Sequence, residues 1–442
     1  MRNSGWRMIS KSGVVAFQYR EYRLFWLAAA LSNIGMWALT YGRLWLMHEL
    51  TGSPLMVGLV ATASLGPVLL FSMWGGVVAD QVNRLKLVKA TRAMFAALSL
   101  LTGFLIASGV IQPWHVFAIS AATGILLSFD IPSRSAMLPT IVPQHHLASA
   151  IALYSIVFGG AAIVGPAVLA PLVDLWGLEG VFFLIGIAYA LTVVTLAFMD
   201  PRGHRPEKRP PTMLQGLIDG CRYLGRNPVI SGVIALGVIA GVFGNSFEAL
   251  LPVFADKILA GDIDTYSRLL LAAGIGGLAA TMIIAILGAQ VHPARLFVIA
   301  GAGYGLGILV LSRLTWFPSA ALSIGLVGAL SVVFSITSIT LVQTLTADEF
   351  RGRVMSIHQF SWGATGLGGP LMGALGETLG VPAALSIGGI VVAAATVLVA
   401  LAALRGVLAR ESGSSLQVHP LRALEIVSSN PEKGGCVQRE SG

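Results

Sequence analysis

Glu248 is an acidic residue inside a long apolar segment, in the stretch GNSFEALLP, and Arg43 is a basic residue in a second such segment, LTYGRLWL. If these segments cross a membrane, each charge costs roughly 2.5 to 3.5 kcal/mol at a helix centre and persists mostly for function. Both residues lie toward the same end of their segments, so they could form an ion pair that protonation of the carboxylate would break. We therefore predict Glu248 and Arg43 as candidates for proton coupling.

Asp130 is a third candidate for proton coupling, and it lies four residues before Arg134, with Pro132 between them. Residues at positions i and i+4 are neighbours on a helix surface, so a local salt bridge is the simpler interpretation. For Glu248 and Arg43, the alternative is that the side chains reach the aqueous surface, which a long arginine does more easily than a glutamate. The sequence leaves these alternatives open.

The segments that carry these residues have the composition of a membrane protein. Hydrophobic residues make up 55% of the chain and charged residues 11%, whereas charged residues average about 25% in soluble domains. Apolar stretches of about 20 residues, enough to cross a bilayer, recur from Phe25 to Leu404. The pattern predicts an all-α polytopic membrane protein with twelve transmembrane helices, at residues 24–47, 54–79, 89–110, 113–135, 148–174, 179–200, 228–255, 266–288, 295–313, 316–345, 353–377 and 382–404.

Positive charge is distributed unevenly over the loops between these stretches. If both termini are cytoplasmic, all but four of the 28 lysines and arginines lie on the cytoplasmic side; the exceptions are Arg43, Lys257, Arg268 and Arg313. The positive-inside rule therefore predicts a multi-pass protein of the inner membrane with both termini in the cytoplasm. The net charge of +8 is not gathered on a soluble domain, so we expect no nucleic-acid partner.

The longest polar break divides the chain into two sets of six predicted helices. We predict a cytoplasmic N-terminus at 1–23, a bundle at 24–200, a linker at 201–227, a second bundle at 228–404 and a cytoplasmic tail at 405–442, which its composition indicates is disordered. In the linker, apolar residues at helical spacing predict an amphipathic helix at the membrane surface, or a connector with one solvated face. These apolar residues are Leu214, Leu217, Ile218, Cys221 and Leu224.

The two sets of helices also contain an internal repeat. Residues 137–175 align without gaps on residues 341–379, and the matches include Gly165-Pro166 with Gly369-Pro370. Repeats of membrane helices are typical of secondary transporters, in which the substrate path lies between the repeats. A Gly-Pro pair inside such a helix predicts a place of bending and close helix packing.

Signatures of enzymes and metal sites are nearly absent from the sequence. There is no P-loop, no HExxH and no GxSxG motif. The glycines from Gly274 to Gly277 match the consensus of a dinucleotide-binding motif. They lie in an apolar helix without the strand that the motif requires, so we do not expect a dinucleotide site. Cys221 and Cys436 fall in segments assigned to the cytoplasm and are too few for a zinc site. We expect no cofactor, no metal and no enzymatic activity.

Several stretches resemble the major facilitator superfamily, and within it the branch of enterobactin exporters and macrolide-efflux proteins, also called transmembrane secretion effectors. They are GGVVADQVNRLK at 75–86, YREYRLFW at 19–26, FDIPSRSAMLPTIVP at 129–143 and EFRGRVMSIHQF at 349–360. The resemblance covers residues 19–404. It implies the major facilitator fold, with two pseudo-symmetric six-helix bundles that rock about a central site, and proton-driven export of a small molecule. We expect a monomer in the bilayer.

The resemblance also implies a latch at the cytoplasmic ends of the helices. In the family motif, the acid that matches Asp80 contacts the positive N-terminal end of a helix in the opposite half and the basic residue that matches Arg84. The alternative is that these charges only fix the topology. By the internal repeat, further residues border the eleventh helix on the same side, so the predicted gate consists of Gly76, Asp80, Arg84, Glu349, Arg351 and Arg353.

Aromatic residues on the first, seventh and eleventh predicted helices are candidates for a substrate cavity: Trp37, Tyr41, Trp45, Phe247 and Trp362. An apolar cavity with few polar groups suits hydrophobic or amphipathic ligands, although such residues also serve simply in packing. The predicted function is a proton-coupled exporter of hydrophobic drugs or siderophore-like molecules. An uptake carrier or lysolipid transporter on the same fold, and a membrane receptor or scaffold that transports nothing, are the alternatives.

Overall fold

The computed structural model describes residues 14–200, 213–287 and 292–413. The chain divides into two units, residues 1–399 and residues 400–442, and the second is described only as the end of the last helix. We call residues 14–200 the N-terminal half and residues 213–399 the C-terminal half.

The N-terminal half consists of long helices joined by short loops. They are α1 (Arg20–Thr51), α2 (Pro54–Gln81), α3 (Arg84–Ala107), α4 (Pro113–Ile141) and α5 (Leu147–Ala197), with 3-10 turns at Val15–Gln18 and Gln144–His146. Gly177, inside α5, has φ 69° and ψ 172°. Because a residue with a side chain rarely adopts a positive φ, this glycine lets the chain turn between two helices that α5 combines.

Short polar residues and prolines define where these helices begin. The Ser53 side chain accepts a hydrogen bond from the backbone N–H of Met56, and Pro54 occupies the first turn of α2. The Asn83 side chain accepts from the backbone N–H of Lys86 and begins α3 in the same way. Side-chain oxygens at this position satisfy N–H groups that the first helical turn leaves unpaired.

The C-terminal half begins with a short helix and continues with long apolar ones. A π-helical turn, Ala240–Asn245, separates the second and third helices of this half. The helices are α6 (Met213–Arg226), α7 (Pro228–Ile239), α8 (Phe247–Lys257), α9 (Ile263–Leu287), α10 (Pro293–Leu311), α11 (Phe317–Leu345), α12 (Asp348–Gly363), α13 (Thr365–Leu379) and α14 (Val381–Gly413).

The all-α membrane fold that the sequence predicts is confirmed. The predicted number of twelve transmembrane helices is not reproduced directly. In the described part of the chain, ten helical segments are long and apolar enough to cross a membrane. Two predicted helices, 148–174 and 179–200, are continuous in α5. The predicted helix 353–377 corresponds to α12 and α13, of 16 and 15 residues, which are each too short to span alone.

The predicted linker and tail are described in part. Residues 201–212 lie outside the described ranges, and the predicted amphipathic helix is present as α6. α14 continues to Gly413, past the predicted boundary at residue 404. Residues 414–442, which include Cys436, lie outside the described part of the chain.

Helices pack within each half and across two seams between the halves. In the N-terminal half α5 packs against α1 and α3, and α2 packs against α4; in the C-terminal half α11 packs against α9 and α10. Between the halves, α2 packs along α13 and α5 packs along α9. These two seams place α1 of one half and α8 and α9 of the other around the same interior region.

Glycine residues bring the α2 and α13 backbones together. Gly58 and Gly369 lie so close that a Cβ atom on either one would overlap the carbonyl oxygen of the other. The Thr62 hydroxyl donates to the carbonyl oxygen of Gly366 at 2.5 Å. Small residues allow this close approach between membrane helices, where van der Waals contact replaces hydrophobic association.

The helix set has two ends, which we name by their loops. The Gly52 end is where α1 turns into α2, and the Arg84 end is where α2 turns into α3. The contact of α2 with α13 extends from Pro54, at the Gly52 end, to Gly66, which lies against Gly366, and Leu69 then lies against Gly363 at the end of α12. Beyond that point, Leu70 and Trp74 are 68% and 69% exposed. The two halves therefore pack most closely from the Gly52 end to about the middle of α2.

Candidate functional site

Glu248 lies in the first turn of α8, directly after the π-helical turn, and faces the N-terminal half. The Tyr41 hydroxyl of α1 donates a hydrogen bond to its carboxylate, at 3.5 Å. Glu248 is partly exposed, although Phe247 and Ala249 on either side of it are buried. Since Glu248 points toward another helix rather than to the outside, its exposed surface faces the interior between the halves.

Aromatic rings surround this carboxylate. Trp37 stacks on Tyr41 with ring centroids 5.6 Å apart, and Trp45 stacks on Tyr266 of α9 at the same distance. Tyr41 and Tyr266 meet edge to face at 6.4 Å and join the two stacks across the halves. Tyr266 lies close enough to Glu248 for an electrostatic interaction. We call Trp37, Tyr41, Trp45 and Tyr266 the aromatic wall.

Two polar groups of the aromatic wall have no described partner. The Tyr266 hydroxyl and the Trp37 indole N–H are both buried and make no hydrogen bond. A buried polar group without a partner costs about 1 to 3 kcal/mol, so such groups mark places where a ligand or water can bind. Tyr304 of α10 packs against the π-helical turn at Gly244, and its hydroxyl donates to the side-chain amide oxygen of Asn245 at 2.8 Å.

The predicted cavity residues differ in their surroundings. Trp37 and Trp45 are partly exposed and Tyr41 is 5% exposed. Phe247 is 4% exposed and belongs to the packed hydrophobic core, so it does not line an open space. Trp362 lies in α12, and its side chain is outside the described part of the structure.

Arg43 is buried between α1 and α4, with 2% exposure. Its guanidinium donates to the hydroxyls of Thr123 and Ser120, at 2.8 and 3.4 Å, and to the carbonyl oxygen of Leu39, at 3.2 Å. All these partners belong to the N-terminal half. These hydrogen bonds hold Arg43 within the N-terminal half, and no carboxylate is among its described contacts.

The structure does not bring Arg43 and Glu248 together. Arg43 and Tyr41 are two residues apart in α1, so their side chains leave the helix on nearly opposite sides. Tyr41 faces Glu248, and Arg43 therefore faces α4. The predicted ion pair is replaced by two separate contacts, and the hydroxyl of Tyr41 takes the place that we expected for the arginine. The alternative, in which the Arg43 side chain reaches the aqueous surface, does not fit the structure either, because this side chain is buried.

Asp130 forms the centre of a buried charge network. Arg134 binds its carboxylate in the predicted i,i+4 arrangement, with Nε 2.7 Å from Oδ2. Arg92 of α3 binds the same oxygen at 2.7 Å, and the Thr91 hydroxyl donates to the other oxygen at 3.0 Å. Asp130 is 0% exposed and Arg92 1% exposed. Two guanidinium groups thus share one carboxylate inside the N-terminal half.

Further groups extend this network to two more helices, α1 and α5. Arg134 donates to the Tyr154 hydroxyl at 2.8 Å and approaches the Asn33 side chain at 3.5 Å. Arg92 lies over the rings of Phe95 and Tyr189, 5.5 and 5.6 Å from their centroids. Such contacts with ring faces stabilise a cation that has been removed from water. The surroundings of Asp130 thus favour a structural role over transfer of a proton.

Three further polar contacts between the halves lie at the Gly52 end. His48 Nε2 lies 3.0 Å from the Asp256 carboxylate, and the Lys257 ammonium donates to the carbonyl oxygen of Gly52 at 2.8 Å. The Ser53 hydroxyl donates to the Glu377 carboxylate at 2.8 Å. We call these three contacts the Gly52-end closure. They connect α1 and the following turn with α8 and α13.

The predicted gate residues at the Arg84 end make contacts within their own halves. Gly76 and Asp80 lie in the last turns of α2, and the Asp80 side chain is outside the described part of the structure. Arg84 donates to the carbonyl oxygen of Ala136 at 3.1 Å. Glu349 is exposed in the first turn of α12.

The two arginines near the start of α12 also bind residues of the C-terminal half. Arg351 pairs with Asp348 at 2.5 Å, and Arg353 pairs with Asp219 of α6 at 3.4 Å. The described contacts of Arg84, Arg351 and Arg353 therefore include none that joins the two halves at this end.

The two Gly-Pro pairs occupy helix crossings, as the sequence predicts. At Gly165 an added Cβ atom would lie 2.7 Å from the Cβ of Trp37, so α5 fits closely against the aromatic wall. Gly369 forms the seam with α2 described above, and Pro166 and Pro370 follow directly in α5 and α13. In the described ranges, no three His, Cys, Asp or Glu side chains form a group that could hold a metal ion.

Comparison with known proteins gives a family match over most of the chain. The family model described as transmembrane secretion effector matches residues 11–437. The chain is 24% identical over 376 residues to the staphyloferrin A transporter of Staphylococcus aureus (strain NCTC 8325 / PS 47), which covers 83% of this chain and 92% of that protein. It is 25% identical over 373 residues to the enterobactin exporter EntS of Escherichia coli O1:K1 / APEC, which covers 81% of this chain and 86% of that protein.

Solved structures of transporters have the same arrangement of helices. A bacterial homologue of the human lysosomal transporter Spinster, in an inward-facing and unoccupied conformation, has a TM-score of 0.63 at 14% identity and covers 87% of this chain and 95% of its own. The nucleoside transporter NupG has a TM-score of 0.66 at 14% identity and covers 87% of this chain and 98% of its own. At these identities the likeness shows the fold alone.

Proposed function

The chain belongs to the transmembrane secretion effector family of the major facilitator superfamily, and from that premise we propose that it is a proton-coupled exporter of small amphipathic molecules. The family and the fold are those of membrane transporters and not of enzymes. One curated relative is named as an exporter of enterobactin. That name supports the direction of transport and a siderophore-like or similarly sized substrate.

The observation that carries the proposal is the position of Glu248. A partly exposed carboxylate lies between the halves, beside the aromatic wall, and accepts a hydrogen bond from Tyr41 of the opposite half. An ionisable residue at membrane depth that faces the interior is a candidate for proton binding. Protonation removes the charge that attracts the Tyr41 hydroxyl, so a proton on Glu248 weakens a contact between the halves. This change links the proton to the movement of the halves.

The Gly52-end closure supports an order of events. By the positive-inside rule the Arg84 end faces the cytoplasm, with both termini on that side of the cell membrane. The contacts at the Gly52 end then close the external side, and the substrate reaches the aromatic wall from the cytoplasm. Separation of His48 from Asp256 and of Ser53 from Glu377 accompanies opening to the outside. A single exchanged proton driven by 100 mV provides about 2.3 kcal/mol, enough for roughly fifty-fold accumulation.

The experiment that tests this function uses the purified protein in liposomes with a pH gradient. Drugs, siderophores and lysolipids are added one at a time, and a pH-sensitive dye reports proton movement. Proton release from the acidic compartment on addition of one class supports proton-coupled exchange and identifies the substrate class. Transport of a substrate with no proton movement would contradict the coupling and leave the transporter family assignment intact.

A further inference from the structure

A pocket of about 480 Å³ lies between α6 and the first turns of α12, apart from the aromatic wall. The membrane-spanning segment that begins with α7 at Pro228 ends at Lys257, at the Gly52 end, so α6 and the pocket lie at the Arg84 end of the helix set. Its walls include Arg222 and Arg226 of α6 and Arg353 of α12. Arg353 is also one of the predicted gate residues, but neither the family resemblance nor the proposed transport mechanism assigns a ligand to this pocket.

Positive charge dominates the rim of the pocket. Three arginines line it, and Asp219 is the one acidic residue among the lining residues. Asp219 lies between two of the arginines, 3.7 Å from Arg222 and 3.4 Å from Arg353. The Asp219 carboxylate neutralises one of the three positive charges, and it fixes the positions of the Arg222 and Arg353 side chains. Arg226 is exposed and has no ion pair among the contacts of the described residues.

The floor of the pocket is aromatic and well fixed. Tyr223 of α6 stacks on Phe350 of α12, with ring centroids 4.6 Å apart and an interplanar angle of 17°. The Arg353 guanidinium lies 5.4 Å from the centroid of the Phe350 ring. The Tyr223 hydroxyl accepts a hydrogen bond from the backbone N–H of Ala347 at 3.3 Å. The pocket therefore offers an anion-binding rim and an apolar surface together.

The neighbourhood of the pocket is the surface of the membrane. Ile218, one turn before Arg222 on α6, is 48% exposed, and Val229, in the first turn of α7, is also 48% exposed. Apolar residues exposed on a short amphipathic helix beside a membrane span favour contact with lipid. Guanidinium groups bind phosphate through paired hydrogen bonds. Basic pockets between membrane helices are suited to anionic lipid headgroups.

We propose that Arg222, Arg226 and Arg353 bind the phosphate of an anionic phospholipid from the leaflet at the Arg84 end, with the glycerol and upper acyl chain lying along Tyr223 and Phe350. The aromatic floor favours an amphiphile over free phosphate, which would use only the rim. A lipid bound there joins α6 to α12 and so connects the linker with the helix that leads into the α13 seam. This site is independent of proton coupling at Glu248.

The native Cys221 provides a probe for the lipid. It is an exposed, free thiol on α6, beside Arg222. In a Cys436→Ser background, Cys221 is labelled with a fluorophore, and the protein is placed in phosphatidylcholine vesicles that contain spin-labelled phosphatidylglycerol or spin-labelled phosphatidylcholine at equal mole fraction. We expect phosphatidylglycerol to be enriched at the probe by about five-fold or more over phosphatidylcholine. This is the enrichment that the attraction of a single basic residue for anionic lipid is expected to produce.

Variants then separate the pocket from general surface charge. Arg222→Gln with Arg226→Gln is expected to reduce the enrichment to that of phosphatidylcholine. Arg20→Gln is the matched control, because Arg20 is exposed at the same end, pairs with Glu21 and lies outside the pocket. Equal quenching by both lipids, or an equal loss in the Arg20→Gln control, would overturn the proposal. Loss of the enrichment on addition of millimolar inorganic phosphate would assign the rim to soluble phosphate and overturn the lipid assignment.

Discussion

The hydroxyl of Tyr41 in α1 lies 3.5 Å from the carboxylate of Glu248 in α8, so the partly exposed acid of one half is held by a residue of the other. This relationship places a group that can bind a proton at the boundary that moves during transport. It also separates Glu248 from Arg43, which is hydrogen-bonded inside the N-terminal half. In the proposed mechanism, coupling therefore depends on a carboxylate and a hydroxyl, and not on an ion pair between Glu248 and Arg43.

The Asp130 network is expected to determine the stability of the N-terminal half. Asp130→Asn leaves Arg92 and Arg134 buried without an anion, and removal of one partner from a buried ion pair costs about 3 to 5 kcal/mol. The measurement is thermal unfolding in detergent. Asp264→Asn is the matched control, because Asp264 pairs with Arg268 at the same i,i+4 spacing and 2.7 Å, but both side chains are accessible to solvent, at 35% and 62%. The control is expected to change stability by at most about 1 kcal/mol, and equal effects of the two substitutions would contradict this account.

The Gly52-end closure is expected to hold the two halves together. Asp256→Asn weakens the contact with His48, and because Asp256 is half exposed we expect a population shift of about two- to five-fold toward the open state rather than a complete opening. Spin labels at Ser108→Cys and Arg313→Cys, in a background without Cys221 and Cys436, report the distance across this end.

Glu49→Gln provides the control for the closure. Glu49 is exposed beside His48 in α1 and has no described contact with the C-terminal half. Its substitution is expected to leave the distance distribution unchanged. A distribution that is the same for wild type and Asp256→Asn would show that the closure does not depend on this contact.

The α2 and α13 seam is expected to tolerate no side chain at Gly369. In Gly369→Ala the added methyl group overlaps the carbonyl oxygen of Gly58, a backbone atom that cannot rotate away. Forced overpacking costs about 1 to 3 kcal/mol, which lowers the unfolding temperature. Gly160→Ala is the control, since an added Cβ there meets nothing within 4 Å. Equal unfolding temperatures for both variants would refute the close contact.

Asp262 is expected to stabilise the start of α9 in a pH-dependent manner. Its carboxylate accepts hydrogen bonds from the backbone N–H groups of Thr265 and Asp264, both at 3.1 Å. The bond from Thr265 lowers the pKa of Asp262 below its ordinary value of 3.8. A lowered pKa means that the stabilisation is complete at neutral pH and is lost as the pH falls through the pKa of the folded state.

Hydrogen exchange of the first turn of α9 tests this cap. Asp262→Ala is expected to cost about 1 kcal/mol at pH 7, which is about a five-fold increase in exchange of those amides, and progressively less as the pH falls below the ordinary pKa of 3.8. Asp262→Asn retains an acceptor and is expected to keep most of the protection without its pH dependence. Equal exchange in wild type and Asp262→Ala at pH 7 would rule out the cap.

The sequence predicted the fold because apolar length and charge asymmetry act locally along the chain. It predicted the pair of Asp130 and Arg134, which are neighbours on one helix. It did not predict Arg92 as a second partner of Asp130. A signal was present, since Arg92 falls at helical spacing with Val88, Phe95 and Ala96, which are all buried.

Contacts between the halves could not be derived in this way. Tyr41 and Glu248, or His48 and Asp256, are about 200 residues apart in the chain, and no periodicity relates them. The sequence correctly identified Arg43 as unusual, because a buried charge is costly. Its side-chain partners, however, are the hydroxyls of Ser120 and Thr123 and not an acid. Charge alone therefore located the unusual residues, and helix packing determined their partners.

The most direct test of proton coupling is dye-reported proton release from proteoliposomes with an imposed pH gradient, for wild type, Glu248→Gln and the exposed control Glu49→Gln. The substrate is the compound class that gives proton release in wild type, and unfolding temperatures confirm that all three proteins are folded. We predict proton release for wild type and Glu49→Gln and none for Glu248→Gln, because an amide cannot exchange the proton. Proton release by Glu248→Gln at the wild-type rate would contradict the account.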